Sequence, residues 1–394
     1  MSRIGLRDKI GIGKFLGKLA SIQYRHYKKI IILSLILTAF LGYGATGVHF
    51  QGDLEEMMPS DLPVFVLEDK VANQFGGGDS IVIAVVLNED TSAKNIVRDI
   101  RDPEVIRSVI ELHNRLENEP SIGEVQSIAP LFQQGVPDDI EDTKRIIASS
   151  PLQGIVNRDY SVMLVYATPV TGMSEEQVKK VERVIQNDID AITKPAGVEY
   201  RISGMAPLVV KVLELLREDL VFTTLTAAAI IFALLVILEL SLSKGFLVFL
   251  PLTFAVIWTF GTMGFFGIPI SPATVAVGAL IIGLGVEYGI FVVSRFHEER
   301  EKHSSEDSLR IAVSEIGAST FGSAATTTSA FMALTISIMP MIRDLGFTLA
   351  LAIIFCWIAA AVVNPCFIIL EDQLNGKKLS GLIKRRGITD EQQQ

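Results

Sequence analysis

The chain has 394 residues, of which 49% are hydrophobic and 20% are charged, and its mean hydropathy is positive at +0.42. The apolar residues are concentrated in segments of about 20 residues, each long enough to cross the ~30 Å hydrocarbon core of a bilayer. This distribution excludes a soluble enzyme, a disordered chain and a disulfide scaffold. The net charge of −9 argues against nucleic-acid binding. The only two cysteines, Cys356 and Cys366, fall in the last apolar segment and provide no disulfide framework.

Six apolar segments are predicted to be transmembrane helices, because backbone polar groups in lipid must be hydrogen-bonded within the segment itself. The predicted spans are residues 29–47, 219–240, 246–266, 272–294, 318–339 and 346–370. The flanks 1–29, 295–317 and 371–394 hold eight, four and five Lys or Arg residues, whereas the two short loops on the other side hold only Arg343. Both termini are therefore predicted to be cytoplasmic in a multi-pass protein of the cell membrane.

Residues 1–28 are predicted to form a cytoplasmic segment before the first span. The charged stretch is too long for a signal peptide. Its apolar and basic residues alternate at helical spacing, which predicts a short helix on the inner membrane surface, with a frayed basic tail as the alternative. The apolar members are Ile10, Phe15, Leu16 and Leu19, and the basic ones are Lys14 and Lys18.

Residues 48–218 separate the first two spans and are predicted to form an extracytoplasmic α+β domain. They hold 16 Lys or Arg and 29 Asp or Glu residues, a net charge of −13. Strand and helix patterns follow the order βαββαβ, which is typical of a ferredoxin-like unit. The strands are predicted at 80–87, 125–132, 160–169 and 198–204, the helices at 103–117 and 174–192, and a helical pair in the insertion 137–158.

Local signals set the helix ends in this domain. Asp102 and Pro103 are predicted to be the N-cap and the first residue of one helix, and Ser174 the N-cap of the other. A further helix from about residue 207 continues without a breaker into the second span. The second to sixth spans together cover residues 219–370. Movement of the domain could thus be linked mechanically to the membrane helices.

Glu287 is the principal candidate functional residue, because it is an ionisable group deep inside the fourth span. A carboxylate in hydrocarbon is costly, so it is expected to face the interior of the helical bundle and to mark an ion path. The structural alternative is a neutral, hydrogen-bonded Glu that fixes packing. Glu239, the other acid within a span, is expected to be solvated near the membrane surface.

Hydroxyl-bearing residues in the fifth span are predicted to accompany this acid. Thr326 and Thr327 lie about nine residues after Ala318, and Glu287 lies eight residues before Arg295, so both sites are ~12–14 Å from the inner edge at ~1.5 Å per residue. The hydroxyls can donate to the carboxylate or help to coordinate a cation, although a threonine in a membrane helix often bonds its own backbone instead.

Small residues predict close packing between the fourth and fifth spans. Gly283, Gly285 and Gly289 are matched by Gly322 and its small neighbours in the next span, so the two helices are expected to approach closely. The segment near 300–316, between these spans, has an apolar stripe at helical spacing and is predicted to be a cytoplasmic interfacial helix.

The arrangement resembles the resistance–nodulation–division (RND) superfamily, and within it a half-size, archaeal-type member of the hydrophobe/amphiphile exporter and MMPL-like branch. The motif GLGVEYGIFVVSRFHEER (283–300) is similar to that of the superfamily's fourth helix, and TTTSAFMAL (326–334) to its fifth. The resemblance implies that Glu287 is the relay acid, Tyr288 its motif neighbour, and the hydroxyls of Thr326, Thr327 and Thr328 its partners. The superfamily usually has Asp at the position of Glu287.

The resemblance also implies an activity: export of hydrophobic or amphiphilic molecules such as lipids, driven by a proton gradient or, alternatively, by sodium. Because the chain carries half the usual helices, a homodimer is expected. The rival hypotheses are a SecD/SecF-like accessory subunit of protein translocation and a non-transporting lipid or sterol sensor. No nucleophile–base pair or metal-ligand cluster appears in the sequence, so we expect no enzyme activity, cofactor or metal, and no nucleic-acid partner.

Overall fold

The computed structural model describes residues 11–51, 58, 80–88, 96–149, 154–170 and 175–374. The chain divides into two compact units, one of residues 60–214 and the other of residues 1–59 with 215–394. Predictions that concern Ile10, Ser174 and the tail beyond residue 374 lie outside the described residues. The helices are α1 (Ile12–Ala45), α2 (Pro103–Glu117), α3 (Ile140–Ala148), α4 (Glu175–Ala191), α5 (Met205–Glu239), α6 (Leu242–Phe266), α7 (Val277–Arg300), α8 (Ser305–Leu334) and α9 (Pro340–Leu374).

The first unit contains a four-stranded antiparallel sheet. Its strands are β1 (Ile81–Leu87), β2 (Ile122–Gln126), β3 (Val162–Pro169) and β4 (Val198–Gly204). They lie side by side in the order β2-β3-β1-β4. In the central strand, Ile83 pairs with Val165 of β3 and Ile202 of β4. The sheet therefore brings together strands that are far apart along the chain.

One face of this sheet forms the hydrophobic core together with α2 and α4. Ile81, Ile83 and Val85 alternate with less buried residues along β1 and are completely buried, as expected for a strand with one covered face. The predicted start of α2 is confirmed: the Asp102 side chain accepts a hydrogen bond from the Glu104 backbone N–H at 2.9 Å, and Pro103 opens the helix. This N-cap pairs a backbone donor that the helix itself leaves free.

Two predictions in this unit need correction. The strand predicted at 125–132 is instead β2, followed by a short 3₁₀-helix, Ala129–Phe132. Pro130 lacks the N–H that a strand would use there, and Ile128 already has helical backbone angles. The insertion 137–158 holds a single described helix, α3, and residues 154–158 form turns and one bridge from Val156 to Met163.

The second unit is helical. Five helices in the described residues, α1, α5, α6, α7 and α9, are long and apolar enough to cross a membrane. The predicted span 318–339 falls largely within α8, which is not one of the five. Its many Gly, Ala, Ser and Thr residues keep its hydropathy low, although it has 30 residues.

Several predicted boundaries merge into longer helices. The segment before the first span and the span itself form α1, which bends at His26. The segment near 300–316 is not a separate interfacial helix, because α8 continues from Ser305 through the predicted fifth span without a break. The predicted continuity between the last strand and the second span is confirmed, since α5 begins directly after β4 and ends at Glu239.

Glycines allow α1 and α6 to touch along their backbones. A methyl group at Gly261 would lie 2.1 Å from the Leu41 carbonyl oxygen, and one at Gly264 would lie 2.0 Å from that of Gly44. No side chain fits at these distances. The two helices therefore approach as closely as their backbones permit, as small residues allow in membrane bundles.

Candidate functional site

Glu287 and Tyr288 are adjacent on α7 but face different surroundings, because successive residues of an α-helix point about 100° apart. Tyr288 is 2% exposed and packs in a cluster with Ala324 of α8 and Cys356 of α9. Ala324 is itself buried on the side of α8 that faces Tyr288. Tyr288 is thus a main contact between α7 and α8.

Glu287 is exposed on the surface of the single chain. This corrects the expectation that it faces the interior of its own bundle. The inward side of α7 is taken by Tyr288 and by glycines, so the carboxyl points to the opposite side. Its neighbours on that side are also exposed, Leu284 by 38% and Phe291 by 51%. One chain therefore leaves its deepest acid uncovered on an apolar surface.

The three predicted threonines lie on α8, just beyond the residue that contacts Tyr288. Thr326 is exposed, and its hydroxyl donates to the backbone oxygens of Gly322 (3.2 Å) and Ser323 (2.8 Å). Thr327 and Thr328 are half-buried, and the inaccessible Thr328 Oγ1 has no hydrogen-bond partner among the described residues. Ala324, two residues before Thr326, packs in one cluster with Tyr288; the closeness of Thr326 to Glu287 stays a prediction.

The predicted packing glycines separate into two pairs. Methyl groups at Gly285 and Gly289 would lie 2.5 Å from Cys356 Sγ and 2.7 Å from the Val248 carbonyl oxygen. These two glycines pack against α9 and α6, and not against the fifth span as expected. They lie on the buried side of α7, whereas Gly283 and Glu287 lie on its exposed side. A methyl group at Gly283 or Gly322 would have no atom within 4 Å among the described residues, so their surface is open.

No ion pair among the described residues involves Glu287. The arginine nearest to it along α7, Arg295, is occupied by Glu298 (3.3 Å), Glu299 (2.9 Å) and Glu315 (3.0 Å). Within the described ranges, no three His, Cys, Asp or Glu side chains come close enough together to hold a metal ion. The chemistry at this position is therefore that of an exposed carboxyl with no basic partner among the described residues.

A family model described as MMPL family matches residues 56–380. The chain belongs to the MMPL family. The membrane protein MJ1562 of Methanocaldococcus jannaschii is 33% identical over 380 residues, which are 94% of this chain and 97% of that protein. A protein of Mycobacterium tuberculosis, named probable transport protein MmpL12, is 21% identical over 237 residues, 59% of this chain but only 20% of the relative. The RND/MMPL resemblance is thus confirmed.

The structure of this MMPL chain also brings forward polar residues that the sequence reasoning passed over. Gln23 and Asn364 are completely buried within the helical unit. A signal for both was present in the sequence. Gln23 lies at helical spacing between the buried Ala20 and Tyr27, and Asn364 interrupts an apolar run.

Proposed function

We propose that this MMPL protein is a homodimeric exporter of hydrophobic or amphiphilic molecules such as lipids, driven by an ion gradient, with the proton as the coupling ion. The observation that carries the proposal is the exposure of Glu287 on an apolar surface of the single chain. A carboxyl facing lipid tails is strongly unfavourable. Another polar surface must therefore cover it.

A second copy of this chain is the natural cover. The open surface around Glu287 is formed by small, hydroxyl-bearing and apolar residues of two neighbouring helices; these are Gly283 and Phe291 on α7, and Gly322, Ser323, Thr326, Ser329 and Ala330 on α8. Small residues permit close helix approach in membranes. An isologous dimer would place the same surface on both sides of a two-fold axis and enclose two copies of Glu287.

Enclosed carboxyls without a basic partner can take up and release protons. Each proton that moves down a membrane potential supplies ~2.3 kcal/mol per 100 mV. Sodium, held by Glu287 and threonine hydroxyls, is the alternative coupling ion. The spare Thr328 hydroxyl supports a polar environment on the fifth span.

The α/β domain would carry out the work on the cargo from outside the membrane. Its βαββαβ order and its antiparallel strand order β2-β3-β1-β4 support a ferredoxin-like unit. The unbroken helix α5 supplies a covalent connection from this domain to a membrane span. We place both termini in the cytoplasm, with α8 as the sixth span, on the distribution of Lys and Arg. Membership of the MMPL family favours an exporter over a SecD/SecF-like subunit, a lipid sensor or an enzyme.

Transport by the purified protein in lipid vesicles tests the coupling. With a fluorescent lipid as cargo and an imposed proton gradient, Glu287→Gln is expected to lower transport about 100-fold, as loss of a proton-transferring group does. Glu239→Gln is the matched control, because Glu239 ends α5 and accepts a hydrogen bond from Ser294. Full transport by Glu287→Gln would refute ion coupling, and transport that needs a sodium gradient instead would replace the proton.

Cross-linking tests the dimer. In a chain whose native cysteines are replaced by alanine, Gly322→Cys is expected to form a disulfide between copies, because position 322 lies on the proposed contact surface. Gly13→Cys is the control and should remain unlinked, because Gly13 is half-buried against Ser314 and Ala318 of its own chain. A chain that stays monomeric in native mass measurements from lipid nanodiscs would contradict the proposal.

A further inference from the structure

Two buried side-chain amides lie at the same segment of α9 inside the helical unit. Gln23 of α1 and Asn364 of α9 are both 0% exposed. Gln23 Nε2 donates to the backbone oxygens of Ala361 (2.9 Å) and Val362 (3.2 Å). Asn364 is only two residues beyond Val362, so both amides are within one turn of α9.

These amides keep unused hydrogen-bonding capacity. Gln23 Oε1, Asn364 Oδ1 and Asn364 Nδ2 have no partner among the described residues. A buried amide without a partner is strongly unfavourable in apolar surroundings. Two acceptors and one donor group are therefore available to a small polar ligand at this place.

The helix backbone is irregular at the same position. Residues Ala359–Val363 of α9 form a π-helix, and the Asn364 N–H bonds back to the Ala359 oxygen. Single π-helical turns inside α-helices occur frequently at functional sites. Three consecutive alanines, Ala359 to Ala361, form this turn, so the neighbouring side chains on α9 are small.

We propose that Gln23, Asn364 and the π-helix form an internal water-binding site. Water can donate to both free oxygens and accept from Asn364 Nδ2, so a single ligand class matches all three groups. A bare cation could use the two oxygens but would leave Asn364 Nδ2 unpaired, and an anion could use Nδ2 but would leave both oxygens unpaired. The site would hold one or more water molecules within the bundle.

Glu287 lies level with the start of the π-helix. A methyl group at Gly285 of α7 would lie 2.5 Å from Cys356 Sγ of α9, and His297 Nε2 of α7 is 4.0 Å from Glu371 Oε2 of α9, so the two helices run in the same direction. Two residues after Gly285 and Cys356, α7 reaches Glu287 and α9 reaches residue 358, directly before the π-helix. At ~1.5 Å per residue, Asn364 is ~9 Å further along α9.

A second polar pair lies on the same two helices. Near the end of α9 the Tyr27 hydroxyl donates to Gln373 Oε1 at 2.8 Å, and Tyr27 is one turn from Gln23 on α1. A route for the coupling ion from this pair to the amides rests on the proposed function, whereas the water site does not.

Thiol labelling tests the water site directly, because only the hydrated thiolate reacts. In a chain with Cys356→Ala and Cys366→Ala, single variants Asn364→Cys and Gln23→Cys are treated in membranes with the small reagent aminoethyl methanethiosulfonate. Both are expected to react at least about tenfold faster than the native Cys366 in a matched Cys356→Ala chain. Cys366 is the control, since it is two residues from Asn364 and fully buried.

Three results would overturn the water site. Labelling of both variants as slow as that of Cys366 would mean that the amides are dry. Equally fast labelling of Cys366 would mean general access at this depth. Protection of position 364 by sodium chloride, but not by choline chloride, would identify a cation as the occupant. The two cysteine positions report independently, so misfolding of one variant leaves the other informative.

A transport measurement tests the ion route separately. Asn364→Leu combined with Gln23→Leu removes both amides, and we expect transport to fall at least about tenfold while the thermal transition is unchanged or higher. Unchanged transport would refute the route. If Glu287→Gln is fully active but positions 364 and 23 still label, the proposed function fails and the water site remains.

Discussion

The α/β domain and the membrane helices differ in how they treat buried polar groups. In the described α/β domain the four fully buried polar side chains have partners in the same domain: Ser108 with Tyr200, His113 with Ser127, and Thr143 with the Arg101 oxygen. Two atoms of less buried residues there, Ser121 Oγ and Asp188 Oδ2, have no partner among the described residues. In the helices, Gln23, Thr348 and Asn364 are fully buried and keep atoms with no partner among the described residues, and Glu287 is exposed on an apolar side.

This difference indicates that the α/β domain pairs its fully buried polar side chains within one chain, whereas the helical unit does not. A soluble fold must pair its buried polar groups internally, because an unpaired one costs about 1–3 kcal/mol. In the helical unit, several polar groups need partners that one chain does not supply. A second copy of the chain would cover Glu287, and water would pair with Asn364.

The largest expected effect is loss of a core side chain from the α/β domain. Leu112 is fully buried in the cluster that contains Ile83 and Met163, so Leu112→Ala should lower the free energy of unfolding by about 3 kcal/mol. Protease sensitivity of the full chain in increasing urea measures it. Val170→Ala, at a 60% exposed position, should have little effect, and equal shifts would mean that this domain lacks a rigid core of its own.

The next effect concerns the close contact between α1 and α6. Gly261→Ala places a methyl 2.1 Å from the Leu41 oxygen, and the helices must separate, at a cost of about 1–3 kcal/mol. The thermal transition in detergent should fall accordingly. Gly267→Ala is unsuitable as a control, because Gly267 has a left-handed φ of 67°; Gly11→Ala, with open space, is suitable. An unchanged transition would show that the two helices can separate here at little cost.

A smaller effect should depend on pH. Arg101 forms two hydrogen bonds with the Asp99 carboxylate, at 2.8 and 2.7 Å. Burial opposes the charge on Asp99, but the bonds from Arg101 outweigh it and hold the pKa below the usual 3.8. Because the pKa of Asp99 is lower in the folded state than in the unfolded state, its charge stabilises the fold at pH values above the unfolded-state pKa. That stabilisation is lost as the pH falls through the folded-state pKa.

Asp99→Asn should therefore destabilise by about 1 kcal/mol at pH 7. The gap between variant and wild type should close as the pH falls below about 4. Urea-dependent proteolysis at several pH values measures it. A gap that persists at low pH would place the stabilisation in packing, such as the Arg101 guanidinium lying 3.3 Å from the Tyr160 ring centroid, and not in the charge of Asp99.

The smallest effect on the fold should come from the open glycines, and it tests whether the surface around Glu287 is completed by a second chain. Gly283→Ala has no described atom within 4 Å of the new methyl, so monomer stability should change by less than about 0.5 kcal/mol. The dimer fraction in nanodiscs should nevertheless fall, because the methyl lies on the proposed contact surface. Reduced monomer stability with an unchanged dimer would contradict this assignment.

Local signals predicted much of the fold because they act over a few residues. The N-cap Asp102, the strand at 81–87 and the continuous helix after β4 are all confirmed. The strand at 125–132 was misplaced, since its apolar composition suits a strand and a 3₁₀-helix equally. The predicted fifth span does form a helix, α8, but its hydropathy is too low for composition alone to identify it as a transmembrane helix.

Within the candidate site, residue types were predictable but directions were not. A shared depth of Glu287 and Thr326 can be predicted from the sequence, because helical rise depends only on residue count. Which side of α7 faces inward depends on the neighbouring helices, and those select Tyr288, Gly285 and Gly289. The expected pairing of Gly285 with the fifth span failed for this reason.

The amino-acid sequence alone determined the apolar segments, the βαββαβ order and the membership of the MMPL family, because each is encoded in composition and short-range spacing. Only the tertiary structure decided that Glu287 points away from its own chain, and that Gln23 bonds the backbone of α9 next to Asn364. It also decided that α9 changes to a π-helix directly before Asn364. Those facts depend on contacts between residues hundreds of positions apart, and no local pattern specifies the rotation of one helix against another.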